Sequence, residues 1–269
     1  YLLSSEWYVS EGKYKANSSE LYLQYRLNDD LSSYSVSNVR GNDLGNVIIP
    51  NTYKGLPVIG IDRDAFRYSN SLVSVVIPNS ITFIGETAFS DCDNLVSVLF
   101  EEGSNIRHLK LAVFQKTPKL ESINLDALTK LETIGRFAFL RSYSLEHITI
   151  PDTVYLIGHA AFSEMNSLQT VTISPNSNLE IIVSFAFEGS HNLNSIFLPN
   201  TVEFMGDHVF SGGLTIYADF ASKPKSWSNN WSGSATVIWG PHHTKEYTVN
   251  FADFEGYSFE PITSNYGIA

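Results

Sequence analysis

Side chains capable of acid–base, nucleophilic or metal chemistry are present in this chain but scattered along it. Of seven histidines, His108, His147, His159, His191 and His208 stand far apart, and only His242 and His243 are adjacent. A zinc site needs further correctly placed donors, so this pair reads as two solvated side chains after the Gly240-Pro241 turn. Cys92 is the single cysteine, which excludes an intrachain disulfide and a multi-cysteine zinc site. A catalytic thiolate there would need a neighbouring base or positive charge. The sequence carries no signal for one, and a small structural role fits better. Glu101-Glu102 read as solvated charges rather than as a glycosidase acid pair. No G-x-S-x-G, Walker or H-E-x-x-H pattern occurs. Trp227, Trp231 and Trp239 remain, since aromatic rings can stack on the apolar faces of sugars. No catalytic residue, metal ligand or cofactor is expected.

With 269 residues, 43% of them hydrophobic and 13% aromatic, the chain has ample material for a packed interior. Its net charge of −11 and scattered Lys/Arg disfavour a nucleic-acid partner and an acidic lipid surface. No apolar run approaches the roughly 18–20 residues that span a bilayer, so this segment is not expected to insert into a membrane. Tyr1-Leu2-Leu3-Ser4-Ser5-Glu6 has no basic n-region and no long apolar stretch, so any signal peptide is expected to have been removed or to lie elsewhere.

A phenylalanine, usually preceded by alanine, recurs at Phe66, Phe89, Phe114, Phe139, Phe162, Phe187 and Phe210, with spacings of 23, 25, 25, 23, 25 and 23. A near-constant period of this length marks a solenoid. Counted from that phenylalanine, the −8 column is Val58, Ile81, Ile106, Leu131, Val154, Leu179 and Val202. The −5 column is Ile61, Ile84, Leu109, Ile134, Ile157, Ile182 and Met205. The columns at +6, +9 and +11, beginning at Leu72, Val75 and Ile77, are hydrophobic through six units. The L-x-x-V-x-I stretch ends in a period-two alternation suited to a short strand, and Ala-Phe sits in a polar segment long enough for a helical turn. No coil can bury its apolar columns alone, so coils should stack with strands paired in parallel. Gly85, Gly135, Gly158 and Gly206 at −4 suggest a tight turn with positive φ. The extra residues of the longer units fall in loops around 101–106, 126–131 and 174–179.

These columns closely resemble the BspA-type leucine-rich repeats of bacterial surface proteins, whose pattern is roughly I-G-x-x-A-F-x-x-C-x-x-L-x-x-V-x-I-P. Ile84-Gly85-Glu86-Thr87-Ala88-Phe89-Ser90-Asp91-Cys92-Asp93-Asn94-Leu95 matches it almost throughout, and the resemblance covers about residues 47–240. Asp62, Lys110 and Val183 replace the glycine of the I-G dipeptide in the units of Phe66, Phe114 and Phe187, and the last unit shortens between Phe210 and Ile216. The resemblance implies a β-rich α/β fold: a right-handed leucine-rich-repeat solenoid of 23–25-residue coils, with a parallel sheet on one face, short helices on the other, and caps at both ends. The expected divisions are an amino-terminal cap with a hairpin at 1–46, the solenoid at 47–217, a carboxy-terminal cap at 218–241, and a tail or further β module at 242–269. The resemblance also implies an extracellular or cell-surface, non-catalytic module that adheres to a protein or glycan of a host or bacterial surface. An architectural spacer is the second reading, and a carbohydrate-binding module or enzyme the third. The tryptophans match the family's terminal segment, which favours a structural cap over a sugar site.

If +9 and +11 point inward, +8 and +10 face solvent. The +8 row is Ser74, Ser97, Ser122, His147, Thr170 and Ser195. The +10 row is Val76, Leu99, Asn124, Thr149, Thr172 and Phe197. Such a face is either a bland ladder of β-compatible residues or a docking surface. The candidate docking residues are Val76, Leu99, Asn124, His147, Thr149, Thr172 and Phe197, with His147 and Phe197 as anchors.

Overall fold

The computed structural model describes residues 9–10, 13–16, 19–40 and 44–241, with side chains from residue 23 onward. The expected tail at 242–269 and the His242-His243 pair lie outside the described residues. Strands pair in parallel one coil apart, so each coil stacks on the next. The main strands form two parallel sheets: Gly45–Ile48, Leu72–Ile77, Ser97–Phe100 and Ser122–Ile123, then His147–Thr149, Thr170–Thr172, Ser195–Leu198, Thr215–Ala218 and Thr236–Trp239. A second line of two-residue strands, His108–Leu109, Thr133–Ile134, Leu156–Ile157, Ile181–Ile182 and Phe204–Met205, forms another parallel sheet. At the amino-terminal end, Ser19–Leu27 and Tyr34–Arg40 pair antiparallel across Asn28-Asp29-Asp30, and Tyr34–Arg40 pairs in parallel with Leu56–Ile61.

The repeated columns build the interior. All seven residues at −8, all seven at −5 and all seven phenylalanines are at most 2% exposed. The +9 and +11 positions point inward as well, with Ile123 alone in those rows half-buried. The seven Phe rings stack in one file, with centroids 4.9–5.5 Å apart and planes within 18° of parallel. Neighbouring strands approach at about 4.8 Å, so an offset stack lets the rings follow the backbone rise at little strain. Each buried ring contributes about 1.5–3 kcal/mol from area removed from water.

The helices expected around Ala-Phe do not form. One short 3₁₀ turn, Leu125–Ala127, is the only helix among the described residues, and it lies elsewhere in its coil. The Ala-Phe segment is a chain of tight turns in which positive φ recurs at −2 and +2. It falls at Asp64 and Tyr68, Thr87 and Asp91, Phe137 and Arg141, and Ala160 and Glu164. Amides at −1, +1 and +3 close turns within the coil, as in Ala65 N–H to Asp62 O, Arg67 N–H to Asp64 O and Ser69 N–H to Phe66 O. Amides at −2, 0 and +2 donate to the next coil, as in Thr87 to Leu111 O, Phe89 to Val113 O and Asp91 to Gln115 O, each 2.9 Å. A helix would spend all of them within its own segment and leave none for the next coil, and a segment this short cannot repay helix nucleation. The inter-coil bonds offset a left-handed backbone that costs a non-glycine residue about 1–2 kcal/mol.

The −4 glycines serve a different purpose from the one their sequence position suggests. None of the four has positive φ. A Cβ at Gly85, Gly135, Gly158 or Gly206 would lie 2.3, 2.5, 2.7 or 2.4 Å from a backbone atom of the preceding coil. Glycine is needed there for close approach of coils.

Phe139 stacks between Phe114 and Phe162 at 5.5 and 5.3 Å. Phe139→Ala should lower stability by about 3–5 kcal/mol, read by chemical denaturation; an unchanged midpoint would contradict the interior assignment.

Candidate binding surface

The +8 and +10 rows face outward in register, with Ser97 paired to Ser74 and Ser122, and Leu99 to Val76. The face is not continuous: the main sheet breaks between Ser122–Ile123 and His147–Thr149. At this edge Asn124 takes the place of the backbone in the ladder to the preceding strand. Its Oδ1 accepts from Phe100 N–H at 2.8 Å and its Nδ2 donates to Phe100 O at 2.9 Å, so one side-chain amide replaces a backbone peptide in the ladder. The chain then bends into Leu125–Ala127. Asn124, expected as a docking residue, is spent on the framework. Two panels result.

In the first panel, half-buried Val76 lies in register between Ile48 and Leu99, which is 48% exposed. In the second, Thr149 and Thr172 pair in register and are exposed. Half-buried Phe197 pairs with Tyr217, and Tyr217 with Ile238, itself 38% exposed. The sequence columns missed Ile48, Tyr217 and Ile238. Tyr217 and Ile238 fall beyond the shortened last unit, where counting from the phenylalanine loses register; the alternation of Thr215–Ala218 was the available signal.

His147 is not an isolated anchor. Its Nδ1 lies 2.7 Å from Thr170 Oγ1 and its Nε2 3.7 Å from Glu146 Oε2. His108 repeats this with Thr133 Oγ1 at 3.0 Å and Glu132 Oε2 at 4.0 Å. Carboxylate, imidazole and hydroxyl in sequence form the order of a hydrolase relay, but both sets sit on open strand surface. A relay also needs donors aimed at a developing oxyanion and exclusion of water, and strand amides here are committed to ladders. Among the described residues, no group of three or more His, Cys, Asp or Glu is placed to hold a metal.

Cys92 is fully buried and its Sγ donates to Phe66 O at 3.0 Å. Ser142 and Ser190, in the same column, donate to Phe114 O and Phe162 O at 3.0 and 2.8 Å. At these three positions the column supplies a donor to the phenylalanine carbonyl of the preceding coil, whereas Thr117 Oγ1 donates to Phe114 O within its own coil. Burial pushes the Cys92 thiol up to about 12. Trp227 and Trp231 are 2% exposed, Trp227 Nε1 donates to Val202 O at 3.1 Å, and Trp231 packs edge-on to Phe210. Neither ring offers a face to a sugar.

A surface ring ladder runs along the turn side. Phe137, His159 and Phe185 pack edge-on at 5.4 and 5.3 Å, and His208 stacks on Phe185 at 5.7 Å. The Arg136 guanidinium lies 4.4 Å from the Phe137 ring centre. Burial, aided by Arg136, holds the His159 pKa below its usual value.

Six copies of the BspA type leucine rich repeat region match the chain, over residues 30–142, 59–176 and 108–230. The chain belongs to the BspA-type leucine-rich-repeat family. Among solved structures it is similar to a leucine-rich-repeat protein of T. pallidum, with 28% identity over 68% of this chain and 82% of that one, at a TM-score of 0.59. It is also similar to a leucine-rich cell-surface protein of Faecalibacterium prausnitzii, with 27% identity, 84% of this chain and 57% of that one covered, and a TM-score of 0.63. A Bacteroides ovatus leucine-rich-repeat protein shares the fold at 24% identity and a TM-score of 0.59, over 81% of this chain and 70% of that one. No curated protein matches. No helix among the described residues is long and apolar enough to cross a membrane.

Two outcomes test these assignments. Asn124→Ala should cost about 1–3 kcal/mol, because it leaves the Phe100 backbone unpaired; denaturant titration would show it. Cys92 should resist alkylation at pH 8 in the folded protein and react once denaturant unfolds it. Its raised pKa means the unfolded thiol ionises first, so this contribution to stability is present below pH 9 and declines towards about 12.

Proposed function

We propose that the chain is a non-catalytic module that binds a protein at a host or bacterial surface through the second panel of its main sheet. The observation that carries this reading is the row of Phe197, Tyr217 and Ile238, two aromatic rings and an isoleucine in register on an outward strand face. Exposed Thr149 and Thr172 extend the panel with hydroxyl groups, and His147 borders it. A rigid aromatic centre with an uncharged polar surround has the composition of an interface hot spot. Surface location agrees with the described cell-surface role of the F. prausnitzii relative. The tryptophan segment and the amino-terminal hairpin would close the solenoid ends, as open stacks require.

Binding to arrays of matrix proteins, whole bacteria and glycans should reveal a protein ligand. Phe197→Ala/Tyr217→Ala should weaken its binding at least about tenfold, the scale of a hot-spot truncation, with a smaller loss for His147→Ala. Unchanged affinity in the double variant would remove the panel from the reading, and a glycan as the sole ligand would replace the protein partner.

A further inference from the structure

The short second sheet has its own solvent face. Along its strands the −6 residue points outward while the −5 residue is buried. From Leu156 the outward row continues in direct register through Ile181 to Phe204. Leu156 and Ile181 are half-buried, and Phe204 is 45% exposed. At about 4.8 Å per coil, these side chains form an apolar stripe along the solenoid axis.

An acidic row lies beside that stripe. Glu180 N–H donates to Tyr155 O at 3.0 Å and Glu203 N–H to Glu180 O at 2.8 Å, which places Tyr155, Glu180 and Glu203 on successive coils. Glu180 and Glu203 are exposed. Earlier in the same row Arg107 pairs with Glu132, so charge is neutralised there within the protein. No described cation pairs with Glu180 or Glu203. Like charges on adjacent strands repel, and a cation between them relieves that repulsion. The apolar stripe gains from being covered at the same time.

We propose that this face of the second sheet is a docking surface for a basic, amphipathic protein segment. Its apolar side chains cover Leu156, Ile181 and Phe204, and its Lys or Arg residues meet Glu180 and Glu203. The surface is separate from the Phe197 panel, which lies on a different sheet.

Fluorescence anisotropy on the full chain tests this with three labelled peptides of about ten residues: alternating Lys and Leu, alternating Lys and Ser, and alternating Glu and Leu. The Lys/Leu peptide should bind at least about tenfold more tightly than either control, a difference of about 1.4 kcal/mol. Ile181→Ser/Phe204→Ser should remove that advantage. Glu180→Gln/Glu203→Gln, which changes only exposed carboxylates, should bring Lys/Leu and Glu/Leu affinities together. Phe197→Ala/Tyr217→Ala should leave all three unchanged. The proposal is overturned if Lys/Ser binds as tightly as Lys/Leu, if neither second-sheet variant alters Lys/Leu binding, or if the Phe197→Ala/Tyr217→Ala variant abolishes it.

Discussion

Because coils hydrogen-bond to one another through their backbones without interruption along the turn side, and within each parallel sheet along the two lines of strands, the distance between coils is held near the spacing of paired strands. Every other contact must accept that rise. The Phe file does so by stacking in parallel at 4.9–5.5 Å. Four of the seven −4 positions do so by losing a side chain, since a Cβ at Gly85 would lie 2.3 Å from Arg63 N. Residues at −2 and +2 do so by adopting positive φ, which turns alternate amides toward the neighbouring coil. Where the ladder falters, at Phe100, the amide of Asn124 stands in for the missing peptide.

The interior was legible in the sequence because burial acts on side chains one at a time: a column that must be apolar is apolar in every unit, and Leu131 or Ile157 declares itself. Backbone conformation was less legible. Ala138-Phe139 in a polar segment is compatible with a helical turn or with the stacked turns observed, and the choice rests on carbonyls of another coil, such as Ala161 O, which accepts from Phe139 N–H. The glycines illustrate the same limit. Gly158 reads locally as a turn residue, yet its constraint comes from Arg136 N, 2.7 Å from where a Cβ would stand.

The candidate surface was partly legible for a related reason. Alternation placed Leu99 and Phe197 outside correctly, because a strand's two faces follow from sequence parity. It could not show that Asn124 would be consumed by the ladder, or that Tyr217 and Ile238 would extend the Phe197 row. Strands of two residues, such as Ile181–Ile182, are too short to display a period, so the second sheet and its outward row escaped notice. The residues with chemical potential, His108 and His147, were recognisable by type, but their Thr and Glu neighbours depend on which coils touch. A repeat that explains its own prominent residues leaves function to the rows that vary from coil to coil.

The stacked-turn side carries a consequence for how such a chain changes length. Each coil's donors and acceptors there face the same partners on the next, so whole coils are interchangeable parts while fractions of a coil are not. Gaining or losing one unit between Phe139 and Phe187 would leave the turn-side bonds and the Phe file intact and translate one end of the molecule along the axis by a single strand spacing, about 4.8 Å. The separation between the Leu99 panel and the Phe197 panel is therefore a counted quantity, adjustable only in whole steps, as on a ruler graduated in coils.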